Sequence, residues 1–191
     1  MKTSKFFISA LFCLTLMTSC SSDDDNPIPI NPEELITDVT LTFTNTANSA
    51  DTVVLYSDAP DGQDGASSES VTGSFTSGAT YALTLEILNT SETPADDVLN
   101  DDIIPEADEH FITYAVNGLN LTMTRDANDI DGPNGSKLGV NTTWSVGAAS
   151  TGNLQIVLTH EPTSTDDSDG FGTVTGGSED LIITFNNVEI Q

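Results

Sequence analysis

The feature that most constrains the fold is a two-residue alternation of apolar and polar side chains, repeated along the chain from Val39 onward. Val39, Leu41 and Phe43 alternate with Thr40, Thr42 and Thr44, and Tyr81, Leu83, Leu85 and Ile87 form the clearest apolar face of the first half. The same rhythm returns in Ile112, Tyr114 and Val116, in Leu119, Leu121 and Met123, and in Leu138, Val140, Thr142, Trp144 and Val146. Leu154, Ile156 and Leu158 repeat it, as do Leu181, Ile183 and Phe185, while Val71 with Phe75 and the run Val53 to Tyr56 carry weaker versions. Successive side chains of a strand point to opposite faces, so this spacing buries one face and wets the other. Threonine at the outward positions suits strands and not helices. About nine strands follow, separated by Gly, Asp, Asn and Ser loops. The expected fold is all-β, an antiparallel β-sandwich of immunoglobulin-like or jelly-roll-like type spanning 34–191. One helical turn is expected after Thr93, with Thr93 as cap, Pro94 in the first helical position, and Asp96 and Asp97 near its positive end.

The N-terminus reads differently. Lys2 and Lys5 precede an almost wholly apolar run from Phe6 to Met17, long enough for a signal peptide and too short to span a bilayer. It ends in Leu16, Met17, Thr18, Ser19 and Cys20, which resembles the lipobox cleaved by bacterial signal peptidase II. Residues 1–19 are therefore expected to be a lipoprotein signal peptide, and Cys20 the acylated residue that carries palmitate-type chains. Cys13 leaves with the signal, so the mature chain has no disulfide and must fold by packing, alone or with bound ions. Ser21, Ser22 and Asp23 to Asp25 follow, then a proline-rich stretch, giving a tether over 20–33. The acidic run after the cysteine resembles the export signal of Bacteroidota lipoproteins, which implies an outer-membrane protein facing the cell exterior.

Charge narrows the partners. The chain has four Lys and Arg against thirty Asp and Glu. Two of the four are in the signal, leaving Arg125 and Lys137 as the bases of the mature protein. Nucleic acid and anionic membrane surfaces would be repelled, whereas divalent cations are natural counter-ions. An acidic surface kept for solubility explains much of the same charge.

The polar residues converge at one end. Asn117-Gly118 between two alternating runs is a strong two-residue hairpin signal. Its register sets Tyr114 opposite Leu121, Ile112 opposite Met123, His110 opposite Arg125 and Glu109 opposite Asp126. The strand beginning at Leu138 is expected to pair with Leu154 to Thr159, which brings His160 to the same end with its side chain inward. Both histidines, the acidic cluster Glu106, Asp108 and Glu109, and the loop Asp126 to Gly135 then share one end of the sandwich. Two chemistries fit. A zinc-type site would use His110 and His160 with Glu106, Asp108, Glu109 or Glu161. A calcium site would use Asp126, Asn128, Asp129 and Asp131, although that loop lacks the EF-hand spacing because Ile130 stands where an oxygen ligand is required. The plain alternative is that the histidines close the core and the acidic loop is solvated.

Five segments, Thr93 to Asp97, Glu106 to His110, Lys137 to Gly139 with Thr142 to Trp144, Leu158 to Pro162, and Gly176-Gly177 before Asp180, together resemble a family of small Bacteroidota lipoproteins. That family is commonly labelled "type 1 periplasmic binding fold superfamily protein". The resemblance covers roughly Pro32 to the C-terminus and implies association with a TonB-dependent outer-membrane receptor. The label implies two α/β lobes and a longer chain, whereas these residues read as all-β. Catalysis is not expected. Neither histidine neighbours a recognisable serine nucleophile turn, and the Glu-x-Asp-x-x-Glu pattern of laminarinase-type glycosidases fails because Phe111 stands at the second glutamate. The expected function is a non-enzymatic surface lipoprotein, a binding or accessory module for a transporter. The alternative is a calcium-stabilised structural or adhesive surface protein.

Overall fold

The computed structural model describes residues 34–191 except Asp64. The expected signal peptide 1–19, the expected lipidation site Cys20 and the expected tether 20–33 lie outside the described residues. Among those described, the strands are β1 (Asp38–Asn45), β2 (Thr52–Asp58), β3 (Ser68–Thr72), β4 (Thr80–Leu88), β5 (His110–Asn117), β6 (Leu121–Arg125), β7 (Thr142–Val146), β8 (Ser150–His160), β9 (Ser164–Asp166), β10 (Thr173–Thr175) and β11 (Ser178–Ile190). They form a six-stranded sheet in the order β3-β2-β1-β4-β7-β6, a three-stranded sheet β11-β8-β5, and a short ribbon β10-β9. All the strand pairs are antiparallel. The fold is an all-β sandwich, as the alternation requires.

The two larger sheets share one core. Along β1 every second residue is buried, and along β4 Tyr81, Leu83, Leu85 and Ile87 are buried while their neighbours are not. Trp144 on β7 joins the layers. Its indole meets Phe43 on β1 edge-on at 5.2 Å and Tyr114 on β5 at 5.4 Å, both nearly perpendicular. This is the favoured arrangement of aromatic quadrupoles. Burying the indole N–H is tolerated because it donates to the Thr142 hydroxyl at 2.9 Å.

Four expectations are corrected. Eleven strands replace nine, because β9 and β10 are three-residue, mostly exposed pieces with no apolar face to announce them. The helix after Thr93 is displaced: Pro94 lies in a bend, and a helical stretch occupies Leu99–Ile103 instead, with one further short turn of helix at Pro133–Gly135. Val98, not Thr93, stands at the N-cap and offers no side-chain bond; the Asp97 carboxylate just before it accepts from the Asn100 N–H at 3.2 Å.

Asn117-Gly118 does not close a hairpin. The two-residue turn needs positive φ at both positions, and here only Gly118 of the pair has it, at 79°. Asn117 stays in β5, opposite Asn153. Gly118 makes a corner against Thr151 and Gly152, and the chain crosses to the other sheet to begin β6. The strand expected from Leu138 starts at Thr142 and pairs with β4 and β6, not with β8. Both errors have one cause: consecutive strands here change layers where the sequence reads as continuous meander.

Candidate functional site

His110 opens β5 and His160 closes β8, and the two are direct cross-strand partners. Their rings stack 4.8 Å apart, 11° from parallel. Both are buried, His110 completely. The expected opposition of His110 and Arg125 is replaced by this pairing; Arg125 lies opposite Thr142 in the other sheet.

The third member comes from a bulge. On β11, Glu179 pairs with Thr159 and Leu181 with Leu158, so Asp180 is an extra residue in the ladder. A bulge of this kind re-aims a side chain. Asp180 and Leu181 are consecutively buried in a strand that otherwise alternates through Ile182 and Ile183. Asp180 is thereby turned inward beside the imidazoles, and one ligand atom each from His110, His160 and Asp180 lie within 4.8 Å of one another. Parity counted back from Leu181 puts Asp180 outside, which is why the sequence pattern missed it.

The tautomer of His110 follows from its other nitrogen. Nδ1 lies 3.1 Å from the Glu106 carbonyl oxygen, and since a carbonyl can only accept, Nδ1 carries the proton. The turn through Glu106 and Glu109, closed by the Glu109 N–H on the Glu106 carbonyl at 2.9 Å, builds this contact. Nε2 then faces two carboxylates, with Glu34 Oε2 at 3.8 Å and Asp180 Oδ2 at 4.0 Å. Both distances exceed hydrogen-bond reach, and the fully buried Nε2 has no hydrogen-bond partner. An imidazole fixed by Nδ1–H to a backbone carbonyl, with Nε2 free and aimed at carboxylates, is the arrangement in which histidine ligates a metal.

Glu34 was not singled out by sequence, since no motif surrounds it. It stands in the extended segment before β1. Glu34 and Asp180 also line an open cleft of about 400 Å³ whose far wall is Asp61 to Gln63.

The basic residues are committed elsewhere. Arg125 donates to the carbonyls of Gly170, Lys137, Ile112 and Phe171. Lys137 reaches the Asp129 carbonyl at 2.9 Å and the Asp131 carboxylate at 2.7 Å. Neither offsets the carboxylates at the histidine end. Near Glu34, the Asp102 carboxyl is held above its ordinary value by burial, then by the charges of Asp96, Glu34, Asp101 and Glu106.

The remaining sequence candidates divide. Glu109 Oε2 lies 3.5 Å from His160 Nε2, and Glu109, His160 and Glu161 form a second, shallower group. Glu161 has a φ of 48°, a left-handed conformation that costs a non-glycine residue roughly 1–2 kcal/mol. Glu106 contributes its carbonyl to His110, and Asp108 is exposed.

The Asp126 loop does not join either group. Asp129 is buried and its two oxygens accept from the backbone N–H groups of Gly139, Val140 and Asn141 at 2.7, 3.1 and 2.8 Å. Asp126 accepts from the Thr143 hydroxyl, not across from Glu109 as the hairpin required. Asp131 is bound to Lys137, and Asn128 is exposed.

Comparison with protein-family models, curated proteins and solved structures gave no match to this chain.

Proposed function

We propose that this chain is a lipid-anchored, non-enzymatic binding module of a bacterial outer membrane, facing the cell exterior, whose His110–His160–Asp180 end holds a first-row divalent metal ion. The observation that carries the metal is the buried Nε2 of His110, without a hydrogen-bond partner and directed at two carboxylates. Mixed nitrogen and oxygen donors suit zinc and its neighbours, not calcium, which takes six to eight oxygens. The lipobox-like run ending at Cys20 supports the anchor, and the resemblance to receptor-associated lipoproteins supports an accessory role beside a TonB-dependent transporter. The alternative, a calcium-stabilised adhesive protein using the Asp126 loop, has less support, because the Asp129 carboxylate already caps three backbone amides.

Thermal unfolding after chelation tests the site. Zinc should raise the unfolding temperature where magnesium at matched ionic strength does not, and His110→Ala or His160→Ala should abolish the rise. A ligand at a thousandfold excess over its Kd stabilises by about 4 kcal/mol, which is readily seen. If zinc acts no better than magnesium, the metal reading falls. In cells, Cys20→Ala should lose fatty-acid labelling and membrane association while the domain stays folded; label retained by the variant overturns the anchor.

A further inference from the structure

We infer that Glu34 is a fourth ligand of this metal, so that a bound ion fastens the segment entering the sandwich to both histidine strands and the final strand; the inference rests on the metal reading above. Glu34 Oε2 is buried without a hydrogen-bond partner, and its side chain is 10% exposed. That oxygen has lost its water without gaining a hydrogen bond, which is unfavourable for a carboxylate unless a cation or proton compensates it. No lysine or arginine among residues 34–191 is free to do so, since Arg125 and Lys137 are bound at the other loops. The neighbouring unpartnered group is His110 Nε2, 3.8 Å away. Two atoms that each carry a lone pair and face each other beyond hydrogen-bond distance are explained together by an ion placed between them. The fully buried His110 nitrogen is an observation separate from the carboxylate cluster, and it points into the same space.

With Glu34 included, the donors are two imidazoles and two carboxylates. Glu34 stands just outside the group of three whose ligand atoms lie within 4.8 Å of one another, 3.8 Å from His110 Nε2; drawn in by the ion, it would complete the tetrahedral set of a closed, structural zinc site, with no position left for substrate. The ligands come from four places in the chain: the entry segment, the start of β5, the end of β8 and the bulge of β11. Backbone bonding already joins β5, β8 and β11. Glu34 lies outside any strand, four residues before β1 begins. Its attachment is therefore what the ion adds, and metal loading regulates how firmly the entry segment is held, the point at which the proposed lipid tether joins the domain.

The test uses the full-length lipidated chain in detergent, with zinc as the probe. Glu34→Gln keeps the shape of the side chain and removes its charge. It should weaken zinc binding about ten- to a hundredfold, while His110→Ala removes it. Hydrogen exchange supplies the second readout. In the wild type, amides of residues 34–38 should exchange at least several-fold more slowly with zinc than without, and in Glu34→Gln zinc should leave them unchanged. Glu34→Asp, retaining the charge on a shorter stem, should bind zinc more tightly than Glu34→Gln. If zinc binds Glu34→Gln as tightly as wild type and protects the segment equally, the Glu34 assignment is wrong and the three-residue site stands. If zinc does not bind the wild type at all, both fall. Equal unfolding temperatures of wild type and Glu34→Gln in chelator would show that the variant is folded.

Discussion

The guanidinium of Arg125 lies over the ring of Phe111, with 4.6 Å from its carbon to the ring centre. Its nitrogens at the same time donate to four backbone carbonyls: Gly170 at 2.9 Å, Lys137 at 2.7 Å, Ile112 at 2.7 Å and Phe171 at 3.1 Å. One side chain thus ties β6 in the large sheet to β5 in the small sheet and to two loops. Burial lowers the guanidinium's pKa from its ordinary value, and the ring face and carbonyl dipoles replace the lost water. Gly139 and Gly172 leave the room for it, because a Cβ at either position would collide with its terminal nitrogens.

Arg125→Lys should destabilise the domain by about 2–4 kcal/mol, despite retaining the charge. An ammonium cannot reproduce the planar fork, and carbonyls left without donors in a buried place each cost of order 1–3 kcal/mol. Urea unfolding measures it. A loss below about 0.5 kcal/mol would mean that the clamp contributes little to joining the sheets.

Asp129 should behave as a loop fastener. Asp129→Ala leaves three backbone N–H groups without their acceptor, two of them from Val140 and Asn141 onto the same oxygen. The expected loss is about 2–4 kcal/mol, equal in chelator and in calcium. A loss that appears only when calcium is present would instead make the Asp126 to Asp131 loop an ion site.

Acid should weaken the large sheet through two carboxylates. Burial pushes the Asp38 carboxyl up, but the hydroxyls of Thr90, Tyr56 and Thr37 together outweigh it and hold its pKa below 3.8. The Asp51 carboxyl is also lowered, by Asn45 first, then Tyr81 and Thr76 against a small opposing effect of burial. A carboxyl depressed in the folded state adds stability that is complete above its unfolded pKa and lost as pH falls through the folded one. Stability from this source should therefore hold at neutral pH and decline below about pH 4. Urea midpoints followed across that range should fall less steeply in Asp38→Asn and Asp51→Asn than in wild type. The Tyr56 hydroxyl, pushed up to about 12 by donating to Asp38 and by burial, stays protonated throughout and keeps its role as donor.

Much of this protein is written locally. The alternation at Val39 to Phe43, Tyr81 to Ile87 and Leu154 to Leu158 determined which side chains are buried and hence the sandwich class, because a strand has only two faces and one of them must leave water. That His110 and His160 end their strands facing inward was legible for the same reason. Which strand lies beside which was not. Apolar period two is the same for a strand that turns back in its own sheet and for one that crosses to the other layer, and Asn117-Gly118 serves a corner as well as a hairpin. The layers are joined by Trp144, Tyr114 and Arg125, whose contacts exist only once both sheets are in place. The candidate site shows the same division. Asp180 reaches the histidines through a one-residue bulge that reverses its parity, and Glu34 reaches them from 76 positions before His110 in the sequence. Neither displacement leaves a local pattern, since each results from long-range registration of the backbone and not from the residues beside it in the sequence.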